Sequence, residues 1–272
     1  MNKEEFLKNL ETEIKISKLS NYTLRNYMDY NKQFLDFLDK PPENIESRDI
    51  KYFIAEKMTE KASSSVILFL AAIKFAYFNV LKKDPTLEIK RPKKENKIPI
   101  VLTKEEILRL FESTETLKSK LMLQLLYSSG LRVSELVNLK KEDINFSENI
   151  GWVRAGKGKK DRMFVFSKKL SKKLQRFIDK HQDFDFLFSK GRHLTTRNIQ
   201  KIVQKAAKKA GINKQVHPHS LRHSYATHLL EAGVDIRKIQ ILLGHASLNT
   251  TELYTHISST QLKEITNPLD RL

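Results

Sequence analysis

The sequence predicts a mainly α-helical chain in two domains: four helices over residues 1–88, then a mostly α domain over 100–272 with a small antiparallel sheet. Three observations predict this. Apolar residues recur at helical spacing through most of the chain. A stretch at 89–99 combines Pro92 and Pro99 with dense charge and no apolar period, which is a linker signature. Two short strand-like runs, 151–155 and 162–166, flank a glycine- and lysine-rich turn and read as a hairpin. At roughly 100–200 residues per domain, 272 residues fit two domains that each bury a core.

The elements follow in order. Over 4–16, Phe6, Leu7, Leu10 and Ile14 share a helix face. Ser20 or Asn21 caps a second helix through Leu24, Tyr27, Phe34, Leu35 and Leu38, which Pro41 and Pro42 are expected to stop. Ser47 precedes a third carrying Ile50, Phe53, Ile54 and Met58. The run 66–81, opened by Ser63 to Ser65 and ended by Asp84 and Pro85, is apolar almost all round and therefore central. Interrupted by Lys74 and Asn79, it reads as too short and polar to cross a bilayer. In the second domain Thr103 and Glu106 form a capping box ahead of Ile107, Leu110 and Phe111. A buried helix from 117 ends at Gly130, and a short one carries Val133, Leu136 and Leu139. Further helices are expected near 168–180, 195–210, 218–232, 235–243, 247–256 and 259–265, punctuated by Gly211, Gly233 and Gly244. No internal repeat is visible.

Composition narrows the partner. The chain carries 50 Lys+Arg against 32 Asp+Glu, a net charge of +18. The surplus is local: residues 1–90 are nearly neutral, while 154–214 alone hold 19 basic and 4 acidic side chains. Such a directed footprint predicts a nucleic-acid partner over a uniformly lysine-rich surface or an acidic membrane. Zero cysteines exclude disulfides, thiolate metal sites and cysteine nucleophiles, and suit a reducing cytosol. Without an apolar stretch after Met1, a soluble cytoplasmic protein with no membrane partner is expected.

Six side chains in short pieces invite chemistry, although each has a bland reading. Arg132, three residues before Glu135, makes an ordinary helix ion pair. Lys157, between Gly156 and Gly158, is a solvated loop lysine. His219, after Pro218, opens a helix and shares a face with Arg222, while Leu221, Tyr225 and Leu229 form another face that packs inward. His245 after Gly244 suits a helix C-terminus, and Tyr254 a partly buried core. Together they say more. Phosphodiester transfer needs paired guanidiniums around the non-bridging oxygens. It needs a nucleophile, and a phenol of pKa near 10 must be helped by those charges. It also needs an acid for the departing oxygen, a role open to a flexible lysine on a hairpin tip.

In this order and spacing the pieces resemble the tyrosine site-specific recombinases of the phage integrase family, specifically the Xer type. The strings are GLRVSEL (130–136), GKGKKDR (156–162), HPHSLRHSYATHLLEAG (217–233) and IQILLGHASLNTTELYTH (239–256). The resemblance covers essentially the whole chain and implies a SAM-like core-binding domain, a linker and a catalytic domain. It implies Tyr254 as nucleophile forming a 3′-phosphotyrosyl link, Arg132 and Arg222 clamping the scissile phosphate, and Lys157 as general acid. His219 would assist proton transfer and His245 hydrogen-bond the phosphoryl oxygens, with no cofactor, metal or ATP. It further implies double-stranded DNA as partner and a homotetramer on two sites. The tail 257–272, through Ile257, Leu262 and Ile265, would be exchanged between subunits; the other reading folds the tail onto its own domain. Chromosome-dimer resolution at a dif-like site is the expected task. Val165 departs from the proline many relatives carry there, and the tail looks most like archaeal Xer proteins. A mobile-element integrase shares the chemistry, as does a type IB topoisomerase, which the lack of long C-terminal insertions disfavours. A non-catalytic DNA-binding protein on the same scaffold is a different class, and a zinc site at His219 and His223 lacks a His-Glu-x-x-His pattern.

Overall fold

The computed structural model describes residues 1–93, 98–154, 161–244 and 265–272. By contacts the chain divides into two units, Met1–Lys97 and Ile98–Leu272.

The first unit holds α1 (Lys3–Ile16), α2 (Asn21–Leu38), α3 (Ser47–Lys57) and α4 (Ser63–Leu81). Asn2 and Ser20 cap α1 and α2 through their side-chain oxygens. Helix α2 ends before the two prolines, because Asp39 turns left-handed at φ 49° and Pro42 instead opens a 3₁₀ turn. The cap of α3 is Glu46, whose N–H donates to Asp49 at 3.0 Å. At 19 residues α4 is long and apolar enough to cross a membrane, contrary to the sequence expectation. Yet Phe69, Ala72, Ile73, Ala76 and Tyr77 bury it among α1 and α2, so it is the core helix of this unit. Phe53 stacks on Phe69 with ring centroids 4.9 Å apart, while Phe34 meets both edge-on. Buried Asn31 donates from Nδ2 to the carbonyls of Tyr27 and Ala72, tying α2 to α4.

The second unit is built round α6 (Leu117–Ser129), every residue of which from Leu121 onward is buried. Helix α5 (Lys104–Glu112) begins with the expected capping box: the Thr103 N–H donates to Glu106 at 2.8 Å, and the Glu106 N–H returns the bond at 3.2 Å. After α7 (Val133–Asn138) comes a sheet of three antiparallel strands, β1 (Ile144–Asn145), β2 (Ile150–Val153) and β3 (Arg162–Val165), in that order. The two-residue β1 was not expected; it is too short for any periodic signal. Val165 pairs regularly with Ile150, so the missing proline leaves β3 an unbroken ladder strand. The hairpin tip at 155–160 lies outside the described residues.

Four more helices follow among the described residues: α8 (Lys168–Asp179), α9 (Thr196–Lys209), α10 (Pro218–Glu231) and α11 (Ile236–Leu243). Helix α10 packs on α6 through fully buried Leu221, Tyr225 and Leu229, the face expected to point inward. The basic stretch lies on the exposed faces of α8 and α9, at Lys168, Lys169, Lys172, Lys173, Arg176, Arg197, Lys201 and Lys205. The helices expected at 247–256 and 259–265 fall outside the described residues, apart from Ile265.

The end of the chain packs on its own domain. Asn267 donates from Nδ2 to the carbonyl of Ser128 at 2.6 Å, and Leu269 is buried. Asp270 caps α8, accepting from the Ser167 hydroxyl at 2.5 Å and the Lys169 N–H at 3.0 Å. Residues 265–272, the end of the tail expected to be exchanged, thus make their contacts on the second unit of the same chain. A carboxylate on a helix N-terminus and a buried amide bond are satisfied within one chain.

One glycine sets the sheet's inner face. Gly151 lies opposite Phe164, and a Cβ there would stand 2.3 Å from the Phe164 ring. Gly151→Ala is expected to destabilise by about 1–3 kcal/mol through overpacking. That outweighs the ~0.4–1 kcal/mol gained by stiffening the unfolded chain. Urea unfolding checks this; an unchanged midpoint contradicts it.

Candidate active site

Four segments of the second unit meet at the C-terminal end of α11. Gly130 ends α6 in the left-handed region at φ 59°, which glycine adopts without strain. A Cβ there would stand 2.5 Å from Leu243 and 2.8 Å from the Tyr225 ring, so the chain squeezes between α10 and α11. Two residues later Arg132, in extended conformation, is the N-cap of α7. Its backbone N–H donates to Glu135 at 2.8 Å and its Nη1 to the same carboxylate at 2.7 Å. The ion pair read from the sequence is therefore real, and it aims the guanidinium. Arg222 leaves the first turns of α10 and is 4% exposed.

Three guanidiniums divide the last carbonyls of α11 between them. Arg162 Nη1 donates to Leu242 at 2.7 Å, Arg222 Nη2 to Leu243, and Arg132 Nη2 to Gly244 at 3.1 Å. These oxygens have no partner within the helix and carry the negative end of its dipole, so cations are favoured there. Arg222 also donates from Nη1 to the carbonyl of Gly130, which joins the end of α6 to the end of α11. Glu135 completes the cluster by accepting from Arg162 Nη2 at 2.6 Å.

The charges do not balance. Burial pushes the Glu135 carboxyl up, but Arg162, the Arg132 N–H and the Arg132 guanidinium together hold it below its ordinary value. Among the described residues one carboxylate thus faces three guanidiniums. Arg222, desolvated and repelled by Arg132 and Arg162, is pushed down to about 9. A group in that position gains from an arriving anion, which supplies the charge its neighbours withhold. Two adjacent guanidinium forks suit the paired oxygens of a phosphate or phosphodiester.

His219 lies in the first turn of α10, one turn before Arg222. Partial burial, then Arg222, His223 and Arg132, hold its imidazole below the ordinary value, so it is neutral at neutral pH and can exchange a proton. Of the six expected site residues, Arg132, His219 and Arg222 are brought together. Lys157, His245 and Tyr254 lie outside the described residues. Arg162 was not singled out. The signal was there: period two along β3 puts Arg162 on the face of fully buried Phe164. Among the described residues, no third ligand joins His219 and His223. Deep in the core, His228 instead pairs through Nδ1 with the Tyr127 hydroxyl at 2.8 Å.

Burial depresses His223 and His228 as well as His219. The unfolded chain takes up protons on these imidazoles near pH 6.5, whereas the folded chain resists. Their contribution to stability is therefore full above that pH and is lost as the pH falls toward the folded values. The melting temperature is expected to drop between about pH 7.5 and 5.5, and to drop less in His228→Gln. Equal drops would remove His228 from the account.

Comparison with known proteins fits this geometry. Residues 100–261 match the phage integrase family, and residues 6–86 match the phage integrase N-terminal SAM-like domain. The tyrosine recombinase XerA of Pyrococcus horikoshii is 40% identical over 269 residues, covering 96% of this chain and 90% of its own. The crystal structure of XerA recombinase aligns at 33% identity with a TM-score of 0.52, covering 96% of both chains. A lambda integrase tetramer bound to a Holliday junction shares the fold at a TM-score of 0.74, with 19% identity over 92% of this chain and 76% of that one.

Fold and matches define an enzyme that cleaves and rejoins DNA strands by tyrosine chemistry. The chain belongs to the phage integrase family, and its relatives there are the Xer tyrosine recombinases, which carry out site-specific recombination.

Proposed function

We propose that the cluster at the end of α11 binds the scissile phosphate of double-stranded DNA. Arg132 and Arg222 hold its non-bridging oxygens and His245 adds a hydrogen bond. The phenol oxygen of Tyr254 attacks phosphorus, forming a 3′-phosphotyrosyl bond as the bond to the 5′ oxygen breaks. Lys157 protonates that leaving oxygen, and His219 takes part in the proton transfers. Attack by an opposing 5′-hydroxyl reverses the step, so the bond energy is conserved and rejoining needs no ATP. No metal or other cofactor has a part; catalysis is placement and charge neutralisation.

The observation that carries this reading is the excess of guanidinium over carboxylate where α11 ends. The next residue in the sequence is His245, and Tyr254 follows nine positions later. The exposed lysines and arginines of α8 and α9 supply phosphate contacts, and the unit over 1–88 clamps the duplex, with 89–99 as linker. Lambda integrase forms a tetramer on a Holliday junction. We take this chain to work in the same way, as a homotetramer on two DNA sites, and to act in the cytoplasm. The tail 257–272, through Ile257, Leu262 and Ile265, is exchanged between subunits. The biological task is resolution of chromosome dimers at a dif-like site.

The test is a substrate nicked beside the cleavage position, so that the released fragment diffuses away. A protein–DNA adduct that survives denaturation, with EDTA present, is expected. Failure to form one on any selected site overturns the reading.

A further inference from the structure

We infer that Arg162 is a positioning residue of the recombinase, holding the phosphate-binding arginines and the C-terminal turn of α11 in one geometry. The inference rests on the reading that Arg132 and Arg222 receive the phosphate, and it goes beyond the six residues assigned there.

Four observations carry it. Arg162 is the first residue of β3, yet its side chain is only 12% exposed, which is unusual for a guanidinium at a strand end. Both terminal nitrogens are committed within the protein, Nη1 to the Leu242 carbonyl at 2.7 Å and Nη2 to Glu135 at 2.6 Å. The carboxylate it grips is the one that aims Arg132, through a bond to the Arg132 backbone and another to its guanidinium. Finally, the Arg162 stem lies against Gly244. A Cβ on Gly244 would stand 2.5 Å from Arg162 Cδ and 2.9 Å from Nε. Gly244 is therefore constrained twice, by its left-handed φ of 62° and by the arginine beside it.

The physical role follows. Burial and then Arg132 disfavour the Arg162 cation, and Arg162 in turn disfavours that of Arg222, so its charge is a poor source of stability. What Arg162 supplies is a rigid planar bridge from the sheet to two places, Glu135 and the last turn of α11. Lysine carries the charge, but as a point donor it cannot span both. With the bridge lost, Glu135 is free to swing, Arg132 loses its orientation, and the turn at Gly244 loosens just before His245. These changes alter how one phosphate is held at the reacting centre and leave the phosphate contacts proposed for α8 and α9 in place.

The test is single-turnover adduct formation at saturating nicked DNA, with DNA affinity and melting temperature measured alongside. It uses Arg162→Lys and Glu135→Gln, which keep the side-chain volume. Each is expected to slow adduct formation on the order of 10- to 100-fold, the cost of an ångström-scale misplacement. DNA affinity should stay within about threefold, and the double variant should be no slower than the slower single, because both act through one bridge. Unchanged rates in folded variants overturn the inference, as does a loss of affinity that matches the loss of rate, or additive losses. Should Arg162→Lys unfold, Arg162→Gln, which keeps an amide donor without the charge, decides by the same split between rate and affinity. An inactive unaltered protein would overturn the functional reading instead, so the two failures are distinguishable.

Discussion

Tyr254→Phe is expected to abolish covalent attachment to nicked DNA while leaving DNA binding nearly intact. The substitution removes one oxygen, the atom proposed to join phosphorus, and no charge. The binding free energy of a basic protein for DNA comes largely from phosphate contacts, here proposed for the exposed lysines and arginines of the second unit. A phenol contributes nothing to that sum. Adduct formation should therefore vanish on a denaturing gel, and a mobility shift on the same DNA should stay within about threefold, less than 1 kcal/mol. Any adduct formed by Tyr254→Phe would assign the nucleophile elsewhere. A large loss of binding would instead make Tyr254 a recognition residue.

Arg222→Gln is expected to lower the rate of adduct formation about 10²–10³-fold, or about 3–4 kcal/mol, by analogy with losing one preorganised donor to an oxyanion. The effect on stability should be far smaller, and its sign follows from two opposed effects. Glutamine's shorter amide cannot reach both Gly130 and Leu243, so one buried carbonyl loses its donor, at a cost of about 1–3 kcal/mol. Against this, a desolvated cation that Arg132 and Arg162 repel disappears. The two roughly cancel, and the melting temperature should move by only a few degrees, while Glu135 faces two guanidiniums instead of three. A slow but well-folded protein is the outcome that fits a phosphate clamp. A protein that unfolds at ordinary temperature would make Arg222 a structural tie, and a rate within tenfold of the unaltered protein would remove it from the chemistry.

By itself the sequence determined what is local. The capping box at Thr103 and Glu106, the glycine end of α6 at Gly130 and the inward face of Leu221, Tyr225 and Leu229 all stand as expected. Each depends on residues within about a turn of one another, where hydrogen-bond geometry and the 3.6-residue period leave little choice. The four helices of the first unit were legible for the same reason. So were the motif strings that carry the family resemblance.

Only the tertiary structure decided what depends on chain meeting chain. Arg132 and Glu135 are neighbours on α7, but Arg162, 27 residues away, takes the same carboxylate. No spacing rule foretells that partner. The three carbonyls at the end of α11 are orphaned by every helix end, yet which donors claim them depends on where α7, β3 and α10 arrive. The chain's own last turn was likewise undecidable from sequence, since a carboxylate such as Asp270 satisfies a helix N-terminus on its own domain as readily as on another. Local preferences are set by short-range sterics and hydrogen bonds, whereas a buried charge cluster minimises its energy over the whole domain, where sequence separation carries no weight.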